Sequence, residues 1–458
     1  MRVTVIGGGV LGASTCYHLA KLGARVTSVS GSAGASAATS RSAGLILHYG
    51  ASFKMQAARS TLADIADLES ALEEDLGFVE CGSLRVAVSS QRCQDLEREA
   101  AQIRDRGFSS VKQQLDHAEL GARVPWLQLP SSAIATLVER DGYIDPVVLT
   151  GAYWRRAREL GAVGIADDAS ELVPSDDGRS VAAIRLRGAR DVVESDHVVD
   201  ATGLWSGRLA ELAFGVEALP MAPVRSHYWI ATSANDNGLV DPLAVTPMVL
   251  LPDAGAYTRP AAGSGLLIGL QEQRSATWNR NALFGKEKDR EASSSSTALD
   301  LEIAHEAAAA DADDALHLVT EALFPEEEKE EEGDDGQSCS RRSLAHFLTP
   351  DFIARLALPH YAAGLTTYTP DGQYLVGCMA GDASPSNYTV LSGCNGSGIS
   401  SAGGLGSLAA RCALGLQEEE EEGDTSPTRS TLQNLPAVGS EEFQRLCSNA
   451  RASKFQTK

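Results

Sequence analysis

The sequence predicts an α/β fold that opens on a parallel βαβ unit and continues into two or three structural units. Three observations carry this. A glycine-rich turn sits between an apolar strand and a periodic helix within the first 31 residues. Short apolar strands then recur along the chain, alternating with stretches of helical periodicity. Finally, 458 residues exceed what one core ordinarily supports, at ~100–200 residues per domain.

The elements follow in order. Val3, Val5 and Ile6 form the first strand, and Gly7-Gly-Gly-Val-Leu-Gly12 follows at once. Cys16, Leu19, Ala20 and Leu22 recur at helical spacing, and Gly23 stands where a C-cap glycine belongs. Arg25–Val29 is the second strand, and the Ser-, Ala- and Gly-rich run from Ser32 to Ser42 is a loop. Helices are expected over Met55–Leu76, Cys93–Asp105 and Asp145–Leu160, the last with Pro146 in its first turn. Strands are expected over Gly82–Val88, Val181–Leu186 and Val192–Val199, the last two around a turn at Gly188–Arg190. Leu266–Leu270, Tyr374–Val376 and Tyr388–Leu391 complete the strands, and Gly403–Leu414 is a helix of small residues.

Charge is uneven. The formal net charge is -22, but residues 287–335 hold 18 acidic against 3 basic residues, and 418–424 add six acids. The remainder is close to neutral, which excludes a generally basic nucleic-acid surface and argues against an anionic membrane surface. Residues 286–343 read as an acidic low-complexity insertion and 417–458 as an acidic, partly disordered tail, both solvated rather than partner-binding. The eight cysteines are scattered without a CxxC pair, so reduced thiols are expected and no metal site. No apolar run reaches the ~18 residues of a membrane span, and the chain begins directly in a strand, so a cytoplasmic protein without a signal peptide is expected.

Gly7, Gly9 and Gly12 form GxGxxG between strand and helix, the Rossmann-like context. The first glycine permits a sharp turn, the second lets a pyrophosphate approach the main chain, and the third lets helix and strand pack closely. The amides at Val10 and Leu11 then begin a helix whose positive end faces the phosphates. The second strand should end in Asp or Glu to bind the adenosine ribose. Ser30 stands there instead and offers one hydrogen bond in place of a charge-assisted pair. Loss of the acid could also admit the 2′-phosphate of NADP, although no arginine directly follows Ser30. Ala201-Thr-Gly203 closes a later strand, where a dinucleotide passes in such sheets, and the alternative is a turn without contact.

Further motifs stand in a fixed order: Thr39-Ser-Arg-Ser-Ala-Gly-Leu45, Gly82-Ser-Leu-Arg85, Asp141-Gly-Tyr-Ile-Asp-Pro146, Val199-Asp-Ala-Thr-Gly-Leu-Trp-Ser206, Tyr257-Thr-Arg-Pro260, Gly265-Leu-Leu-Ile-Gly269, Tyr368-Thr-Pro-Asp-Gly372 and Gly393-Cys-Asn-Gly-Ser-Gly398. With the opening glycines, this set resembles the D-amino-acid oxidase superfamily of FAD-dependent oxidoreductases, which includes glycine oxidase, sarcosine oxidase and dimethylglycine dehydrogenase. The resemblance covers residues 1 to about 415 apart from the acidic insertion. It implies a Rossmann-like FAD-binding domain (1–85, 140–215 and 350–416) and a second, mostly antiparallel β-sheet substrate domain (86–139 and 216–285). It places Ser40, Arg41, Ser42, Ala43, Gly44 and Leu45 on the flavin. Ala169, Thr202, Gly203 and Trp205 would join them, although Trp205 also reads as a packing residue. Asp371 and the turn Gly396-Ser397-Gly398-Ile399 complete the set. A helix entered from that turn would direct its dipole at the flavin edge that becomes anionic on reduction.

Some members of the family tether FAD through a histidine in the first loop or a cysteine before the Thr-Pro-Asp motif. Arg41 and Ser42 occupy the first place and Gly364 approximates the second, so noncovalent FAD is expected; His48 lies a few residues out of register. The family's substrates imply an arginine for a carboxylate, because its planar fork donates two parallel hydrogen bonds. Arg259 is the first candidate and Arg225 the second, with Tyr257, His227, Tyr228 and Tyr368 around the pocket. A salt bridge is the alternative for Arg259, and a satisfied interior histidine for His227.

The implied function is oxidation of the C–N bond of a small amino acid or N-methyl amino acid by hydride transfer to FAD, with oxygen or a redox protein as electron acceptor. The alternative is a flavin-fold protein that binds or assembles without catalysis, and a weaker one is an NADP-dependent reductase.

Overall fold

The structure, a computed structural model, describes residues 1–31, 38–49, 52–107, 111–113, 115, 117–188, 192–233, 246–262, 264–270, 319, 322–323, 343–369, 372–379 and 383–416. Most of the expected acidic insertion, the whole expected tail, and Asp371 lie outside the described residues.

Strands and helices are numbered in chain order. Alternation along β1 (Arg2–Ile6) sorts the two faces of the main sheet: Val3 and Val5 enter one core, Ile6 another. β1 pairs in parallel with β2 (Arg25–Val29) and β13 (His197–Asp200). β9 (Val163–Ile165) extends the sheet beyond β2, and β20 (Tyr388–Ser392) beyond β13. β19 (Leu375–Cys378) closes one edge antiparallel to β20.

Helices α1 (Val10–Lys21), α2 (Ser52–Leu72), α5 (Pro146–Glu159) and α8 (Ala402–Leu414) cover the Val3/Val5 face. Glycines bring α8 in close. An ideal Cβ on Gly404 would stand 2.6 Å from the Ala57 Cα, and one on Gly406 2.2 Å from the Ser14 Oγ. Ser14 Oγ donates to the Ala402 carbonyl at 2.8 Å, and the Gly403 amide donates to Thr61 Oγ1 at 2.9 Å.

The other face carries an antiparallel meander of β10 (Ala169–Pro174), β11 (Val181–Leu186) and β12 (Val192–Glu194), with α6 (Arg208–Phe214). The single strand expected over Val192–Val199 is therefore two strands in different sheets. The break has a local cause: Ser195 Oγ donates to the His197 carbonyl at 2.5 Å, and the Asp196 carboxylate accepts the Arg2 amide at 2.7 Å.

A second, eight-stranded sheet runs in the order β18 (Leu356–Tyr368), β14 (Ala222–Ser233), β17 (Gly265–Leu270), β16 (Ala256–Ala261), β15 (Met248–Leu251), β5 (Ser83–Ala87), β7 (Ile134–Val138) and β6 (Val111–Gln113). Only β15 with β5 is a parallel pair among them. β18 lies within 350–416, the segment expected in the FAD-binding unit, yet it pairs along most of its length with β14 and carries the chain from one sheet towards the other. Helices α3 (Ser90–Asp105), α4 (His117–Arg123) and α7 (Pro350–Ile353) flank this sheet. Its core includes Leu84, Leu137, Trp229, Val249 and Phe352, with the Trp126 and Phe352 rings stacked at 5.3 Å.

A small sheet of β3 (Leu45–Ile46), β8 (Gly142–Tyr143) and β4 (Val79–Glu80) leads into α5. Asp145 caps that helix by accepting the Val147 and Val148 amides at 2.7 and 3.3 Å, and Pro146 takes the first helical position, as its sequence predicts.

Candidate active site

The opening glycines build a tight cradle. Gly7 has φ +118, and an ideal Cβ there would stand 2.4 Å from the Ala201 carbonyl oxygen. Its amide donates to Val29 O at 3.0 Å, while Ala201 donates to Ile6 O at 2.8 Å, so the ends of β1, β2 and β13 converge on this residue. Gly12 packs rather than lines: a Cβ there would meet the Gly7 carbonyl oxygen at 2.1 Å. The first loop returns to the helix start, where the Val10 amide donates to Thr39 Oγ1 at 3.2 Å.

Asp200, at the end of β13, organises the adjoining turn. One carboxylate oxygen accepts from the Thr202 amide and hydroxyl at 3.1 and 2.6 Å; the other accepts from the Gly207 amide and the Tyr388 hydroxyl at 2.7 and 2.6 Å. Sequence reasoning identified the turn and missed this knot, whose only signal was the aspartate before Ala-Thr-Gly.

The glycine turn near the end is tied to the Thr-Pro-Asp segment by Asn395, a non-glycine at φ +50. Its side-chain oxygen accepts the Thr369 amide at 2.9 Å, and its side-chain nitrogen donates to the Gln373 and Gly393 carbonyls at 2.9 and 2.6 Å. The Tyr374 hydroxyl bonds Ser397 Oγ and Ser401 Oγ at 2.7 and 2.6 Å. One expectation is corrected here. Gly396-Ser-Gly-Ile399 forms turns, and α8 starts only at Ala402, after Ser401. Residues of the turn, and none of α8, line the two cavities beside it.

Two cavities, of about 330 and 840 Å³, share the lining residues Ala38, Ser42, Thr366, Gly396 and Ile399. The first runs along Gly7, Gly9, Val10 and Leu11, past Ser30 and Ala169, and beside Thr202, Gly203 and Trp205 to Gly398. The second is bounded by Arg41, Ala43 and Leu45 of the first loop, by Ser397, and by the tyrosines 49, 228, 257 and 368. Both glycine turns border the first cavity. Of the other expected flavin contacts, Ser40 and Gly44 border neither cavity, and Gly44 packs against Ile144, whose carbonyl oxygen would stand 2.0 Å from a Cβ at 44.

Period-2 alternation on β14 decides which expected pocket residues face this space. Ser226 and Tyr228 do. His227 does not: it is buried on the opposite face, its Nδ1 2.7 Å from the Tyr361 hydroxyl and its ring stacked with Trp229 and Tyr361. The side chain of Arg225 lies outside the described residues.

Arg259 sits beside the cavity and not on its wall. Its Nε donates to the Ala43 carbonyl at 2.6 Å, its Nη1 to the Pro260 carbonyl at 2.7 Å, and its guanidinium lies 4.6 Å from the centre of the Tyr143 ring. Burial lowers its pKa. It therefore clamps the first loop onto the eight-stranded sheet. Burial also raises the phenols around the cavity: Tyr368 to about 12, with Tyr257, Tyr228 and Tyr49 shifted in the same direction. All four are neutral donors at physiological pH.

At the wall of the second cavity, which Arg85 and Glu99 line, stands an ion cluster. Asp141 bonds Arg85 Nη2 at 2.7 Å, His48 Nδ1 at 2.8 Å and Ser83 Oγ at 2.5 Å, and Arg85 Nη1 is 3.0 Å from Glu99. Burial alone would raise the Asp141 carboxyl, but Arg85, His48 and Ser83 outweigh it and hold the pKa below the usual range. His48 is thus turned towards Asp141. Among the described residues, no group of three or more His, Cys, Asp or Glu side chains could hold a metal, and no helix is long and apolar enough to cross a membrane.

The residues fit an extended dinucleotide: the Cβ-free cradle at Gly7 and Gly9, the amides at the start of α1, and a continuous space reaching the second glycine turn. Comparison with known proteins agrees. The family described as FAD dependent oxidoreductase matches residues 2–412. The human mitochondrial dimethylglycine dehydrogenase is 27% identical over 300 residues, which is 62% of this chain and 33% of that protein. A glycine oxidase of Bacillus licheniformis is 28% identical over 224 residues, 45% of this chain and 54% of the relative. Among solved structures, glycine oxidase from Geobacillus kaustophilus superimposes with a TM-score of 0.64 at 22% identity, covering 91% of this chain and 96% of that one, a likeness of fold.

Proposed function

The chain belongs to the FAD dependent oxidoreductase family, and from that premise we propose that it oxidises the C–N bond of a small amino acid or N-methyl amino acid. The observation that carries this reading is the wall shared by the two cavities: the space along the glycine cradle and a chamber of tyrosines adjoin at Gly396 and Ile399. Residues 7–11, the turn at 202–203 and the turn at 396–399 would hold FAD, which supplies a two-electron acceptor for the hydride leaving the carbon beside the amine.

The chain's own residues do the rest. Tyr228, Tyr257 and Tyr368 offer ring faces to the alkyl groups of an amine and exclude water from the reacting carbon. Arg41 lines the chamber, and its charge, with that of Arg259, acts on Tyr228, so a substrate carboxylate is drawn to this side. The imine product then hydrolyses in water, and oxygen or a redox protein takes the electrons.

FAD is held without a covalent bond in this reading. Arg41 and Gly364 meet at the second cavity, a Cβ on Gly364 lying 3.1 Å from that of Arg41, and neither offers a nucleophile; His48 is engaged by Asp141.

The test is anaerobic absorbance. Bleaching of the flavin bands on addition of glycine, sarcosine or dimethylglycine is the expected result. Bound FAD that no small amine or amino acid bleaches would favour a binding role without catalysis. Acid precipitation should leave the yellow colour in the supernatant, and colour in the pellet would contradict noncovalent binding.

A further inference from the structure

We infer that Asp168 supplies the carboxylate that holds the adenosine ribose, a role that Ser30 leaves unfilled at the end of β2. This rests on the FAD reading above.

The sheet register brings the two segments together. β2 and β9 pair in parallel with Val29 opposite Ile165, and the Ser30 amide donates to the Ile165 carbonyl at 3.1 Å. The residues that follow β9 therefore run beside the end of β2, at the edge of the sheet where a dinucleotide ribose sits. Asp168 fills the space over Gly31: an ideal Cβ on Gly31 would stand 2.0 Å from Asp168 Oδ1 and 2.6 Å from its Cγ. Gly31 is not among the glycines with positive φ, so what its missing side chain provides is room for this carboxylate. Ser30, Gly31 and Asp168 all line the cavity that runs along the glycine cradle.

The carboxylate is held in place from behind. The Asp168 amide donates to Asp167 Oδ1 at 2.8 Å, its carbonyl accepts the Arg187 amide at 2.9 Å, and Arg187 Nη1 lies 3.6 Å from Oδ2. Ser30 Oγ is turned to the Gly31 carbonyl at 3.3 Å. Two carboxylate oxygens accept from two neighbouring hydroxyls, which a serine cannot do. An anion here also repels a 2′-phosphate, which separates this site from one built for NADP.

The experiment measures FAD dissociation by flavin fluorescence as the holoprotein is diluted. It compares the wild type, Asp168→Ala, Gly31→Ala, and Asp168→Ala combined with Ser30→Glu. Loss of a charge-assisted pair predicts FAD bound about 10- to 100-fold more weakly in Asp168→Ala. Gly31→Ala should weaken FAD as well, by displacing the carboxylate without removing it, and Ser30→Glu should restore affinity to Asp168→Ala. A FAD analogue lacking both hydroxyls on its adenosine ribose serves as the specific readout. The wild type should discriminate against it, and Asp168→Ala should not. Equal FAD affinity in wild type and Asp168→Ala, or discrimination retained in Asp168→Ala, overturns the assignment while leaving the FAD reading intact. A wild-type protein that binds no FAD overturns both.

Discussion

Tyr257 lies across Gly269, its directly opposite neighbour on β17, so closely that a Cβ at position 269 would stand 2.0 Å from the ring carbon bearing the hydroxyl. Tyr228 is registered to the same glycine from the other side. One residue without a side chain thus makes room for one of the phenols that wall the chamber and stands between two of them. Gly269→Val should push Tyr257 off its place and lower kcat/KM by about 10- to 100-fold, the usual effect of a misplacement near 1 Å. The FAD content should stay unchanged, because Gly269 touches neither glycine turn. Steady-state kinetics with the best substrate, beside the flavin-to-protein absorbance ratio, checks both halves.

Arg259 binds the Ala43 carbonyl, and through it the first loop. Arg259→Ala should therefore raise KM and also speed FAD release, since the loop that borders both cavities loses its clamp. Arg259→Lys should recover little, because an ammonium cannot reproduce the Nε and Nη1 fork that serves two carbonyls. A raised KM with FAD release unchanged would assign Arg259 to the substrate alone.

Tyr388→Phe removes a donor from Asp200, a buried carboxylate on which the turn at 202–207 is built. The expected cost is about 1–3 kcal/mol of unfolding free energy, read as a lower Tm, together with weaker FAD retention. Thermal melts of holoprotein and apoprotein separate the two effects.

Acid should destabilise the protein in two steps. His197 is buried against Thr389, and burial lowers its pKa to about 4, below its unfolded value of 6.5. The fold therefore disfavours the protonated ring: stability is full above pH 6.5 and falls as pH drops towards 4, by at most about 1.4 kcal/mol per pH unit. Asp141, whose folded pKa is also lowered, contributes stability above its unfolded value that is lost as pH falls through the folded one. His197→Gln should flatten the first step and leave the second. Denaturant unfolding at a series of pH values measures this.

The parts legible from sequence were those written in local chemistry. The βαβ opening, the Asp145–Pro146 helix start and the small-residue helix at the end each follow from neighbours along the chain, and the structure carries all three. Long-range pairing was not legible. Val192–Val199 reads as one run of β-formers, and the bond of Ser195 to the His197 carbonyl, with the hold of Arg2 on Asp196 from far away in sequence, divides it. His227 and Tyr228 are equally plausible pocket residues until pairing fixes which face of β14 each occupies. Asp168 carries no motif, and its place beside Gly31 comes from the parallel register of β2 and β9. The ion cluster at Asp141 joins four segments, of which Gly82-Ser-Leu-Arg85 and the Asp141 motif stood out only as strand and helix markers.

The central claim is that one FAD spans the space from the cradle at Gly7 to the turn at Gly396. The Tyr368 hydroxyl lies against that second turn, 2.9 Å from where a Cβ on Gly396 would stand. The most direct measurement is FAD stoichiometry and visible spectrum for the wild type, Gly9→Leu and Tyr368→Phe. One FAD per chain in the wild type is expected, with FAD lost in Gly9→Leu and retained with shifted bands in Tyr368→Phe. Full FAD content in Gly9→Leu, or a Tyr368→Phe spectrum superimposable on the wild type, would contradict it.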